Sequence, residues 1–222
     1  MNCQAIRLLL SQEAARLVSE LEQREFADGK LTASGFAKDV KYNLQLKREG
    51  PGSKELDQVV FSAFQRNKEF QAFAIPARVA APIFSRYDPG MQYGSHVDNA
   101  FMGGVGGLRS DLSVTLFLSP PDAYDGGELV VEMALGEQPI KLDAGEAIVY
   151  PSSSIHHVAA VTRGVRYAAV TWVQSAVSDE RIRSILYDLQ LTMSHADAAK
   201  SPALSLMLSK SYNNLLRHAA QS

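Results

Sequence analysis

The chain predicts an α+β fold with a jelly-roll core, and three observations carry that expectation. Between residues 78 and 177, short apolar, β-prone runs recur, separated by Gly, Pro and Asp at intervals that suit a sandwich or jelly roll. On both sides of that stretch the apolar residues recur at helical spacing instead. The order is therefore helices, then strands, then helices, which segregates the two kinds of element rather than alternating them. The expected organisation is a helical support over 1–77 belonging to the same domain as a β core over 78–177, followed by a helical extension over 178–222.

Composition sets the outer limits. With 222 residues, 46% hydrophobic and 21% charged, the chain is long enough to bury a real core in one large domain, or in one domain with an appendage. A net charge of -2 gives no reason to expect a nucleic-acid surface. Cys3 is the single cysteine, which excludes an internal disulfide and a cysteine-based zinc cluster. Met1-Asn2-Cys3-Gln4 is uncharged and Leu8-Leu9-Leu10 is short, so no secretory signal is expected. No apolar run approaches the roughly 20 residues of a membrane span. The expected location is a reducing cytoplasm.

Taken in order, Ile6 to Leu10 fits a first strand, with Ser11 as the N-cap of a helix carrying Ala14, Leu17, Val18 and Leu21 on one face. Gly29 stops that pattern, and residues 30–50 are polar and broken by glycine. A second helix is expected from Ser53, with Leu56, Val59, Val60, Ala63 and Phe64 on one face, and Glu55 and Asp57 matching the helix dipole. From Arg78 the period changes. Val79 to Tyr87 is β-prone, with Pro82 marking an edge or bulge, and Asp88-Pro89-Gly90 is a turn. Leu112 to Leu118 is a strong strand. Further strands are expected at Glu128–Met133, Ile140–Leu142, Ala147–Tyr150, His157–Val161 and Val165–Gln174. After Val177 the helical period returns, with one stripe at Ile182, Ile185, Leu186 and Leu189 and another from Leu204 to Leu216. These stripes either pack on the strands or form an interface in a homo-oligomer.

The chemistry centres on His96-Val97-Asp98. In a strand, residues two apart point to the same side, so the imidazole and carboxylate face one place. A third ligand must come from the remaining histidines. His195 and His218 lie in the helical tail, which leaves His156 and His157. Two histidines and a carboxylate with open positions suit a non-haem Fe(II) oxygenase.

Reading Thr162-Arg163-Gly164 as a three-residue hairpin turn that pairs Val161 with Val165 puts His156 and Arg166 on one face and His157 on the other. His156 then lies about 13 Å from Ala160, at roughly 3.3 Å per residue. An arginine at that remove is too far to touch the metal and suits the far carboxylate of a short dicarboxylate. A bulge would exchange His156 for His157. Taken singly, His96 and Asp98 also fit a surface pair beside a turn, His156 a hydrogen-bonded strand-end histidine, and Arg166 an exposed strand charge. Their combination at compatible parity is what points to a metal. Gly103-Gly104-Val105-Gly106-Gly107 lacks the Gly-Lys-Ser/Thr ending of a phosphate loop, and fits a flap beside the site or a plain flexible connection.

Several segments together resemble one family. They are Arg86-Tyr87 with Pro89-Gly90, Tyr93-Gly94, His96-Val97-Asp98-Asn99, Asp111-Leu112-Ser113, Asp125-Gly126-Gly127-Glu128-Leu129, Pro151 to His156, and Val161 to Arg166. The likeness is to the bacterial PKHD-type hydroxylases, in the prolyl/lysyl-hydroxylase branch of the Fe(II)/2-oxoglutarate dioxygenases, and it runs through nearly the whole chain. It implies a double-stranded β-helix with N-terminal supporting helices and a C-terminal helical tail. It further implies Fe(II) on His96, Asp98 and His156, and the 5-carboxylate of 2-oxoglutarate on Arg166. By the same resemblance Tyr87 touches the co-substrate, and L-ascorbate serves as the reductant that rescues oxidised iron. The implied partners are 2-oxoglutarate, dioxygen and an unidentified substrate, either a peptidyl proline or lysine or a small molecule. Two other functions remain beside the hydroxylase: a metal- and 2-oxoglutarate-binding sensor, and a jelly-roll binding module without turnover.

Overall fold

In a computed structural model, which describes residues 3–33, 35–48, 53–195 and 200–220, the chain begins with strand β1 (Gln4–Arg7) and helix α1 (Ser11–Glu22). Met1 and Asn2 of the expected leaderless terminus lie outside the described residues. Strand β2 (Phe26–Asp28), helix α2 (Gly35–Asp39), strands β3 (Lys41–Tyr42) and β4 (Leu44–Leu46), and helices α3 (Ser53–Arg66) and α4 (Lys68–Ala74) follow. The strand-rich part then runs through β5 (Pro76–Val79), β6 (Ile83–Tyr87), β7 (Gln92–His96), β8 (Phe101–Met102), β9 (Leu108–Arg109) and β10 (Leu112–Phe117). It continues with β11 (Tyr124–Gly126), β12 (Leu129–Met133), β13 (Gly136–Ile140), β14 (Glu146–Pro151), β15 (His156–Val158), β16 (Val161–Gly164) and β17 (Arg166–Ser175). Helices α5 (Glu180–Ser194) and α6 (Pro202–Ala219) close the chain. No described helix is long and apolar enough to cross a membrane.

Two antiparallel sheets form the jelly roll. The major one runs β1-β14-β10-β17-β6-β4-β2, with β5 also on β17, and the minor one runs β13-β12-β15-β7-β3. Strand β10 shows why this sequence makes this layer. All six of its residues are buried. Leu112, Val114 and Leu116 join a core with Leu17 and Leu21 of α1 and Val60 and Phe64 of α3. The alternate residues Ser113, Thr115 and Phe117 face the other way, toward the interior between the sheets. There Phe117, Ile148 and Tyr150 of the major sheet pack with Leu129, Val131 and Val158 of the minor one. A strand covered on both faces reads as a nearly continuous apolar run, which is how Leu112 to Leu118 reads.

Three local readings shift. The N-cap of α1 is Leu10 rather than Ser11, because the Glu13 carboxylate reaches back to accept from the Leu10 N–H at 2.8 Å. Asp57 does not serve the dipole of α3; it is largely buried and takes a 2.6 Å bond from Arg48. The stretch 30–50 is not featureless, since β3 and β4 add strands to both sheets. With β1 and β2, they make the N-terminal segment part of the barrel as well as its helical support.

The expected hairpin at 162–164 does not form. Strand β16 pairs with β11 instead, Asp125 opposite Arg163, and Arg163 forks onto the Asp125 carboxylate at 2.6 and 3.0 Å. Gly164, at a φ of 71°, lets the chain step from that ribbon into the major sheet, where Arg166 pairs with Tyr87. The turn signal was local, and both flanking segments found more distant partners. The Gly103–Gly107 stretch is the tip of a small ribbon, β8 on β9.

Candidate metal centre

Strand β7 ends at His96 and β15 begins at His156, and the two histidines are a directly opposed cross-strand pair. A register shift does follow, between His156 and Val158, yet His156 keeps the inward face. His157 turns away toward Glu137, 4.0 Å off. Because β7 stops at His96, Asp98 lies past the pleat and its carboxylate swings back toward the histidines. One ligand atom from each of His96, Asp98 and His156 lies within 4.8 Å of the others. Among the described residues no other three such groups come together. His195 and His218 take no part.

The surroundings prepare these groups as ligands. His96 Nδ1 lies 2.8 Å from the Gly94 carbonyl, and His156 Nδ1 lies 3.0 Å from that of Ser154. A carbonyl only accepts, so Nδ1 carries the proton and Nε2 keeps its lone pair. Burial, reinforced by His156 alongside, pulls the His96 pKa down to about 4, so that imidazole is neutral at pH 7. Ser113 Oγ donates to Asp98 Oδ2 at 2.5 Å and is itself 2.8 Å from Ser152 Oγ. The same oxygen lies 3.8 Å from His156 Nε2, so Ser113 holds the Asp98 carboxylate against the histidines. Tyr93 stacks on the His96 ring at 3.7 Å and 17°, and Tyr150 meets His156 edge-on at 5.2 Å.

Arg166 is only 1% exposed. Its guanidinium lies 5.1 Å from the centre of the Tyr87 ring and 5.4 Å from that of Phe117. Its Nε and Nη2, together with the nearby Tyr124 hydroxyl, are buried without a hydrogen-bond partner. Burial raises the Tyr124 pKa, opposed by the Arg166 charge, so the phenol stays a donor. Gly127 permits this packing. A Cβ there would lie 3.0 Å from Arg166 Cδ and 3.1 Å from a Tyr124 ring carbon, at a φ of 68°. That is the physical use of the Asp-Gly-Gly segment. A buried cation with unspent donors is costly unless an acceptor arrives, and two carboxylate oxygens match its fork.

In the sequence, Ser113 figures only within the Asp111-Leu112-Ser113 segment, with no role assigned, and Tyr124 is not singled out. The alternation Ser113-x-Thr115 inside an apolar run was the available signal for the first. Nothing local marked Tyr124, because its role depends on β11 lying beside β16 and so near Arg166.

Comparisons with known proteins give the family and the fold. The sequence profile of the 2OG-Fe(II) oxygenase superfamily matches residues 82–174. A PKHD-type hydroxylase of Rippkaea orientalis is 46% identical over 211 residues, 95% of each chain. One from Thermosynechococcus vestitus is 44% identical with all of both chains covered. Among solved structures, a Pseudomonas putida prolyl-4-hydroxylase has a TM-score of 0.54 at 20% identity, covering 78% of this chain and 92% of that one. A Trichoplax adhaerens prolyl hydroxylase, solved with a hypoxia inducible factor oxygen degradation domain peptide fragment, has a TM-score of 0.57 at 21% identity, covering 82% and 86%. These structures speak for the fold.

Proposed function

Because the chain belongs to the PKHD-type hydroxylases of the 2OG-Fe(II) oxygenase superfamily, we propose that His96, Asp98 and His156 hold its ferrous ion and that Arg166, with Tyr87 against it, receives 2-oxoglutarate. The protein is an Fe(II)- and 2-oxoglutarate-dependent hydroxylase, and its partners are 2-oxoglutarate, dioxygen and an organic substrate. The observation that carries the residue assignment is the pairing of a His-Asp-His cluster with a buried guanidinium whose Nε and Nη2 make no hydrogen bond of normal geometry, with Tyr124 beside it and no carboxylate among the described residues in contact. Two imidazoles and one carboxylate fit ferrous iron and leave positions for a chelating co-substrate.

Bound iron supplies the oxidising chemistry, with 2-oxoglutarate decarboxylated to succinate as substrate is hydroxylated. The protein's residues do the rest. The Gly94 and Ser154 carbonyls fix the two imidazoles, and Ser113 fixes Asp98. Arg166 grips the distal carboxylate, and Tyr124 adds a neutral donor beside it. Leu129, Val158 and Val170 line the pocket and limit water. The reading extends to L-ascorbate as the reductant that restores oxidised iron, and to a cytoplasmic location. The substrate is a peptidyl proline or lysine, or a small molecule.

Anaerobic titration of Fe(II) into the apoprotein with 2-oxoglutarate tests the assignment. The weak visible charge-transfer band of the chelate is expected in wild type and in His157→Ala. It is expected to vanish in His156→Ala and in Asp98→Ala. A band that survives His156→Ala and is lost with His157→Ala overturns the ligand set.

A further inference from the structure

Residues 41–45 invert the usual polarity of a strand. Lys41, Asn43 and Gln45 are 5%, 2% and 7% exposed, whereas Tyr42 between them is 55% exposed. Lys41 of β3, Gln45 of β4 and Asn43 between the two strands thus turn an ammonium and two amides into the barrel. All three line the pocket that contains His96, Asp98 and His156. Buried polarity of this kind needs partners, and the protein supplies few. Lys41 Nζ donates to Thr32 Oγ1 at 3.1 Å, and that hydroxyl donates onward to Gln45 Oε1 at 2.5 Å. No carboxylate among the described residues pairs with Lys41. The Asn43 amide, wedged over Gly29 and facing the Tyr87 hydroxyl, makes no hydrogen bond of normal geometry. The indole N–H of Trp172, in the same lining, is also unspent.

We propose that this wall is the substrate subsite and that Lys41 binds a carboxylate of the substrate. The inference rests on the dioxygenase reading above. The charged residues lining the pocket are Lys41 and Asp98. Summed over the loaded site, ferrous iron and 2-oxoglutarate cancel and Asp98 offsets one of the two cations Arg166 and Lys41, so one positive charge remains. Asp98 and Asp28 act on Lys41 through space, but neither forms an ion pair with it. In a dry pocket an uncompensated cation favours an anionic guest. The co-substrate is not that guest, because its distal carboxylate has its own cation in Arg166. The location is also right for a substrate. Lys41 is opposite Tyr93 in register, its Nζ is 5.0 Å from the centre of the Tyr93 ring, and Tyr93 stacks on His96. An anion at Lys41 is thus one aromatic ring from a metal ligand, and the carbons next to it are brought close to the iron.

The test uses holoprotein loaded anaerobically with Fe(II) and 2-oxoglutarate, so that nothing turns over. Trp172 is the only tryptophan, and its fluorescence reports binding at this wall. The probes are matched pairs: N-acetylalanine against N-acetylalaninamide, and N-acetylglutamic α-amide against N-acetylglutamine α-amide. Wild type is expected to bind the carboxylate member of at least one pair tenfold or more tighter than its neutral partner. Lys41→Met should weaken that member by roughly tenfold to a hundredfold, the range of charge-assisted hydrogen bonds, and leave the neutral one within about twofold. Lys41→Arg, which keeps the charge, should retain the preference. A preference in the first pair identifies a free α-carboxylate as the group recognised, and one in the second an acidic side chain. Equal affinities in wild type, no binding of any probe, or an intact preference in Lys41→Met would overturn the proposal. Absence of the visible band overturns the dioxygenase reading and this proposal with it; with the band present, the fluorescence titration decides for Lys41 alone.

Discussion

At His96 and His156 a single backbone carbonyl apiece decides which ring nitrogen faces inward, and at Asp98 a serine hydroxyl holds the carboxylate beside them. The groups proposed to do chemistry are thus each held by one they do not react through. Arg166 is the opposite case, a side chain held by ring faces with its hydrogen-bonding edge left open. That difference makes a sharp prediction. Arg166→Ala should raise the KM for 2-oxoglutarate by tenfold to a hundredfold or more, since a hydrogen bond to a charged group contributes about 1.5–3 kcal/mol. Iron affinity measured without co-substrate should stay near wild type. Arg166→Lys should recover only part of the loss, because a single ammonium cannot reproduce the fork. Steady-state succinate formation at varied 2-oxoglutarate checks both variants, and an unchanged KM in Arg166→Ala would remove this residue from the co-substrate site.

At the scale of elements, β10 carries the connection between core and site. Its leucines and valine lock it to α1 and α3, and its Ser113 and Thr115 then arrive inside the barrel at fixed positions. The C-terminal helices are joined differently. Val177, Leu186 and Ala219 make a separate small core with Ile182, Tyr212 and Leu215 around it. Tyr187 of α5 meets Phe73 of α4 edge-on at 5.3 Å. Leu186 is fully buried there. Leu186→Ala should cost about 2–4 kcal/mol and lower Tm by roughly 4–16 °C for a chain of this size. The Fe(II)·2-oxoglutarate band per folded molecule should not change, since this core shares no residue with the pocket. Differential scanning calorimetry and the band amplitude separate the two effects. A lost band at full folding would mean that the tail supports the site.

For the whole molecule, the decisive feature is that the proposed ligands divide between the sheets. His96 and His156 belong to the minor sheet, while Arg166 and Tyr87 belong to the major one. A co-substrate that chelates iron and also reaches Arg166 therefore spans both layers. Anything that binds only the folded state stabilises it, by about 2.7 kcal/mol at a hundred times Kd, or roughly 5–11 °C in Tm. Fe(II) alone is expected to give one increment and 2-oxoglutarate with Fe(II) a second. Arg166→Ala should retain the first and lose most of the second. A second increment of wild-type size in that variant would show that the sheets are not bridged through Arg166.

Much of this was readable in the chain itself. The change from helical to alternating period near residue 78 and the return after 177 follow from side-chain geometry within a few residues. Such signals survive because the backbone repeat that produces them is local. His96 and Asp98 do come together, but β7 ends at His96 and Asp98 reaches the site from beyond the strand rather than by strand alternation. His156 does take the inward face, but the hairpin parity that argued for it fails: His156 lies in the minor sheet and Arg166 in the major one, and they meet across the interior rather than along one strand face. What only the tertiary structure decided was every relation between distant segments. It set β16 on β11 rather than on β17, placed Tyr124 beside Arg166, made Ser113 the partner of Asp98, and turned Lys41, Asn43 and Gln45 inward from a stretch that reads as polar loop. In each case the deciding energy is burial or pairing with a group far along the chain, and no local periodicity records which group that will be.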